Sequence, residues 1–148
     1  MFRRSLTAIA LLAAIVLTGC VSVPMATQEA DAAAKTFAAK ADKANVYVYR
    51  NESFGGAIKM PVVIDGKIVG DTAAKTYMKL EVAPGPHTII SKSESDSELT
   101  VETAPGKNYF VWQEVKMGVW AARSALHLVD TAVGTDGVNE CKLIETTK

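Results

Sequence analysis

The chain is 148 residues long, 49% hydrophobic, with 16 basic and 16 acidic side chains that balance at pH 7. That length fits one domain, and the charge balance removes the general attraction by which basic proteins hold nucleic acid, so nucleic acid is excluded as a partner. Two cysteines, Cys20 and Cys141, are too few for a disulfide framework or a zinc site.

The N-terminus is the most informative stretch. Met1-Phe2-Arg3-Arg4 gives a cationic start, and residues 6–17 form an apolar run of 12 broken only by Thr7. That length suits the apolar region of a signal peptide and falls short of the roughly 20 residues a spanning helix needs. The following Leu17-Thr18-Gly19-Cys20 resembles the lipobox of bacterial lipoproteins. The resemblance implies that residues 1–19 are removed, that the Cys20 thiol takes a diacylglycerol, and that the new amino group is acylated. Two or three chains make membrane attachment stable where one is marginal. Without Arg3 and Arg4 the chain from Cys20 has 14 basic and 16 acidic residues, a net −2. Val21 and Ser22 follow the cysteine, where an inner-membrane lipoprotein of a Gram-negative envelope would carry aspartate. The same resemblance therefore implies a lipid anchor in the outer membrane, on its periplasmic face.

From Val21 to Ala44 the composition turns to alanine, lysine and acids, and residues 29–35 favour about two turns of helix. With Phe37 almost alone as a large apolar residue, the stretch reads as a partly helical tether joined to the domain near Phe37. It would span up to about 80 Å if extended, or about 27 Å as a flexible coil. Val46-Tyr47-Val48-Tyr49 is dense in β-branched and aromatic residues, as a strand covered on both faces should be. Pro61-Val62-Val63-Ile64, Asp65-Gly66 and Lys67-Ile68-Val69 spell a hairpin, because both turn positions need positive φ. Between Tyr77 and Val82 the pattern alternates, with Met78, Leu80 and Val82 on a buried face and Lys79 and Glu81 on a wet one.

Pro84-Gly85 marks a tight turn, followed by a strand at His87-Thr88-Ile89-Ile90, a polar loop over residues 91–97, and a strand at Leu99-Thr100-Val101. Pro105-Gly106 turns again into a long aromatic strand over 107–117. Residues 119–123 and 125–129 make two further strands, and a short helix falls between Asp130 and Ile144. Turn signals at such regular spacing predict a mainly β fold, an antiparallel β-sandwich. The expected organisation is a signal peptide over 1–19, a lipidated tether over 20–44, and a β-sandwich domain over 45–148 with a short C-terminal helix.

The run Lys43-Ala44-Asn45-Val46-Tyr47-Val48-Tyr49-Arg50 after Phe37, then Ile64-Asp65-Gly66, Val69-Gly70, Tyr77, Pro84-Gly85, His87 and Pro105-Gly106 with Tyr109, resembles a family of small bacterial envelope proteins whose domain has no known function. The segment from Asp65 to Thr88 is also similar to the PEGA type of β-module. The resemblance implies a β-sandwich and, often, a lipoprotein signal; it brings no activity. The chain departs from the family at Lys75-Thr76, where a glycine usually precedes the strand.

Candidate chemistry is sparse. Ser124 and His127 lie three apart without a nucleophile signature, and no H-E-x-x-H metal motif occurs. The acids in Ser93-Glu94-Ser95-Asp96-Ser97-Glu98, and again Asp130, Asp136 and Glu140, lack the spacing of a calcium loop. No catalytic residue, metal site or cofactor is expected. Of the aromatics, Trp120 beside Gly118 is the first choice for a partner or ligand surface, together with Tyr77 and Arg50. Arg50 ends the first strand and would pair a carboxylate across the sheet or hold an anion. Cys141 is expected to be a partly buried thiol without a role. These features favour a non-enzymatic envelope lipoprotein that binds another envelope protein or peptidoglycan. The alternative is a periplasmic carrier of a small sugar or lipid, whose cue would be polar residues facing inward on alternating strands.

Overall fold

The computed structural model describes residues 22–147; the signal peptide expected over 1–19 and the lipid expected on Cys20 concern residues outside the described ones. Strand β1, Ala44–Arg50, is buried along its whole length because its two faces serve two cores. Val46 and Val48 join an aliphatic core between two sheets, and Tyr47 and Tyr49 an aromatic core on the other side. Around it the chain adds β2 (Met60–Ile64), β3 (Lys67–Thr72), β4 (Thr76–Val82), β5 (Gly85–Ser91), β6 (Ser97–Thr103), β7 (Asn108–Lys116), β8 (Arg123–Val129) and β9 (Lys142–Leu143). The order is β8-β7-β1-β4-β9 in one sheet and β3-β2-β5-β6 in the other.

The expected β-sandwich is therefore present, with one correction: the five-stranded sheet is mixed. β1 runs parallel to β7, and β4 parallel to β9. Turn signals report only local reversals, and a parallel pairing needs a long connection that leaves no such mark. The Asp65-Gly66 turn closes the β2–β3 hairpin with φ of 48° and 81°, as two-residue hairpins require. Pro84-Gly85 and Pro105-Gly106 behave differently, because each carries the chain from one sheet to the other. At the departure from the family pattern, Lys75 adopts φ 57° where glycine would be at ease. The Thr76 hydroxyl holds that turn by donating to the Ala73 carbonyl and accepting from the Ala73 N–H.

Helices cover the aromatic face. The C-terminal helix α2, Thr131–Asn139, is capped by Asp130, whose side chain accepts from the Val133 N–H. It lies very close to the sheet: a β-carbon on Gly134 or Gly137 would stand 2.2 Å from Phe110 or Tyr49. The short helix α1, Gln28–Ala34, falls where two turns were expected.

The stretch read as a tether is not one. Val23 enters the aliphatic core, Met25 bridges to Ile144, and the Ala26 N–H donates to the Leu143 carbonyl. The Tyr47 hydroxyl donates to the Ala34 carbonyl and Lys35 to the Cys141 carbonyl. Phe37 packs on Tyr47 and Phe110 at ring separations of 5.4 and 5.7 Å. The rings of β1 and β7 need cover, and alanines, having small side chains, let a helix approach them closely.

Candidate functional site

The strand registers define two ends. Arg50 pairs with Thr76, and Tyr49 with Trp112 four residues before Lys116, so the ends of β1 and β7 and the start of β4 lie together. Arg123 opposes Lys116, so the loop 117–122 caps this end. Lys142 opposes Thr76, and Ser22 and Val23 line one surface pocket together with Ala73, Thr76 and Lys142. The described chain therefore starts at the same end, on the opposite edge of the sheet.

Loop 117–122 contains residues 119–122 of a strand expected over 119–123. It is instead pinned from the neighbouring sheet by Glu94, whose carboxylate accepts from the Trp120 N–H at 2.7 Å, the Val119 N–H at 3.0 Å and Arg123 Nε at 2.6 Å. The Val119 and Trp120 N–H groups are backbone donors that a strand would pair. The Trp120 N–H foremost, with Val119 and Arg123, holds the Glu94 carboxyl below the usual range despite some desolvation. Gly118 permits the fold of the loop, because a β-carbon there would lie 1.8 Å from the Ala121 carbonyl oxygen. The loop then presents Met117, Val119 and Trp120 outward at 81%, 71% and 93% exposure, beside Phe54 at 53%. Four large apolar side chains thus stand in water at one tip.

Of the three surface candidates only Trp120 is at the surface. Arg50 is fully buried: its guanidinium donates to the carbonyls of Ile58 (2.7 Å), Gly55 (2.5 Å) and Phe54 (3.3 Å). It pairs with no carboxylate among the described residues, and burial lowers its pKa against the opposing pull of Glu52. Arg50 is a brace for the loop that carries Phe54, so both roles expected for it are corrected. Tyr77 is fully buried too, with its ring 6.2 Å from that of Tyr47 and its hydroxyl directed at the Asp31 carbonyl. β4 turns it to the aromatic core, where burial raises its pKa.

Ser124 and His127 lie on opposite faces of β8. The serine hydroxyl bonds Ser91, while the imidazole stacks on Trp112 at 5.0 Å and meets Glu114 at 2.8 Å. Asp96 pairs with Lys92. Among the described residues no group of three or more His, Cys, Asp or Glu is placed to hold a metal, and no helix is long and apolar enough to cross a membrane. Cys141 is buried, and burial pushes its thiol up to about 12.

Polar residues do face inward between the sheets, the cue for a ligand carrier. Thr72 donates to Gln113, Gln113 to Ser91, and Ser124 to Ser91. They satisfy one another, so the cue does not mark a ligand cavity.

Met117, Val119, Phe54 and Glu94 were not among the expected surface residues. The available signal was four residues, Met117-Gly118-Val119-Trp120, with no polar partner in alternation.

These features define a class: a small β-sandwich, helix-covered on one sheet, with a braced apolar tip at the end where its described chain starts. Residues 40–125 match the family described as "Protein of unknown function (DUF2846)", and the chain belongs to that family. It is also similar to an "Uncharacterized protein" of Haemophilus influenzae, 34% identical over 144 residues that cover 95% of this chain and 83% of that one. No solved structure matches. The family is one of unknown function, as the sequence pattern implied, and the PEGA likeness is not part of the match.

Proposed function

We propose that the protein is an envelope lipoprotein, anchored through acyl chains on Cys20, whose sandwich binds another envelope component rather than catalysing a reaction. The observation that carries this reading is how near the core comes to Cys20. Val23, three residues past Cys20, is already in the core, so cleavage before Cys20 would leave the described core intact. The Haemophilus influenzae relative lends support, since a match over 95% of the chain cannot omit all of residues 1–19. Outer-membrane sorting follows from Val21 and Ser22 if the envelope is Gram-negative.

The surface free to bind a partner is the outer face of the four-stranded sheet. Among the described residues no helix covers it, and it exposes Glu98, Thr100 and Glu102 of β6. The partner is an envelope protein or peptidoglycan. The separation of Ser124 from His127 favours binding over hydrolysis.

Two measurements test the proposal. Intact-mass analysis of the protein extracted from membranes finds diacylglycerol and acyl chains on Cys20, and Cys20→Ser lacks them. A photo-crosslinker at Thr100 in cells yields a discrete adduct identifiable by mass spectrometry. A Cys20 found without lipid refutes the anchor, and recovery only as an unpartnered monomer counts against the binding role.

A further inference from the structure

We infer that the tip formed by Met117, Val119, Trp120 and Phe54 is a second membrane contact, resting in the interface of the bilayer that holds the acyl chains of Cys20. The inference rests on the lipid anchor proposed above and adds an orientation for the domain.

The first ground is position. Ser22 lines the same surface pocket as Ala73, Thr76 and Lys142, at the sheet end that loop 117–122 caps. Cys20 is two residues further, at most about 7 Å of chain. Across five strands the two edges are only about 19 Å apart. With residues 23–37 packed on the sandwich rather than free, no tether remains to lift the domain. Its end carrying the tip must lie beside the lipid.

The second ground is chemistry. A solvent-facing loop needs no row of large apolar side chains, and this one is held outward by design of the contacts beneath it. Glu94 fixes the backbone of Val119 and Trp120, and Arg50 fixes the loop of Phe54. Tryptophan favours the headgroup level of a bilayer, where its ring is buried and its N–H remains wet. The net charge of −2 beyond Cys20 leaves no general attraction to anionic headgroups, so apolar insertion has to carry the contact.

The test uses the full-length protein extracted from membranes with its N-terminal modification and reconstituted in phosphatidylcholine vesicles, either plain or with bromine on the acyl chains. Bromine quenches tryptophan only at close range. Trp112→Phe leaves Trp120 as the one tryptophan of two; its emission should shift to the blue on reconstitution and lose intensity in the brominated vesicles. If that variant misfolds, the difference between wild type and Trp120→Phe gives the same readout. Acylated, vesicle-bound protein whose Trp120 emission is equal in both vesicle types overturns the contact and leaves the anchor standing. Shielding of Trp120 that requires a bound protein instead of lipid also overturns it. Intact-mass analysis showing Cys20 unmodified brings down the anchor and this contact together.

Discussion

The two ends of the sandwich are built by opposite means. At the end of Arg50 and loop 117–122, charged groups sit beneath and apolar side chains face water. At the other, the Asp65-Gly66 turn projects into solvent, and His87 bridges Asp65 and the Ala83 carbonyl. The second arrangement follows the usual economy of a soluble domain. The first inverts it, burying a guanidinium among carbonyls in order to leave Phe54 and Trp120 exposed. Exposing Phe54 and Trp120 adds nothing to folding, so the reason for it lies in what the tip meets.

Removing the buried brace should break this contrast most severely. Arg50→Ala leaves three carbonyls of residues 54–58 without their donor and opens a cavity under the loop. A loss of about 3 kcal/mol is expected from those two effects together, measured by urea unfolding. A change near zero would mean that water replaces the guanidinium, and the tip would then need no brace.

Gly118→Ala should come next. Its β-carbon meets the Ala121 carbonyl and the Glu94 carboxylate, so the loop must open, at about 1–2 kcal/mol. Limited proteolysis should detect new cleavage within 117–122, while the end at Asp65-Gly66 stays intact. Unchanged proteolysis would show that the loop already samples an open form.

How much of this was legible in sequence depends on whether the signal was local. The Asp65-Gly66 hairpin, the double cover of β1 and the helix Thr131–Asn139 each rest on neighbouring residues, and each was foreseen. The pairing of β1 with β7 and the docking of residues 23–37 depend on contacts between distant segments. Arg50 and Tyr77 looked like surface candidates because a residue type alone does not say which core its strand face meets. Trp120 was singled out for its irregular surroundings. Its partner Glu94 was hidden in what reads as a solvated acidic loop.

The smallest expected effect separates the two ends by pH. His87 Nδ1 faces Asp65 Oδ2 at 2.6 Å and Nε2 faces the Ala83 carbonyl at 2.6 Å. Both ring nitrogens meet acceptors, so only the imidazolium can donate to both. Burial opposes that charge, yet Asp65 and the Ala83 carbonyl outweigh it and raise the His87 pKa above its ordinary value. The Asp65 pKa moves down: desolvation pushes it up, but His87 and the Thr88 N–H prevail. The His87 contribution is therefore complete below about pH 6.5 and fades as pH rises through its folded value, while that of Asp65 is complete above about pH 4 and fades as pH falls through its own. The difference in melting temperature between wild type and His87→Gln should be widest near pH 5–6 and narrow toward pH 9. Because Asp65 is half-exposed, the stability difference behind it should stay under about 1 kcal/mol. A difference that is flat across this range would mean that the pair is held by a neutral imidazole.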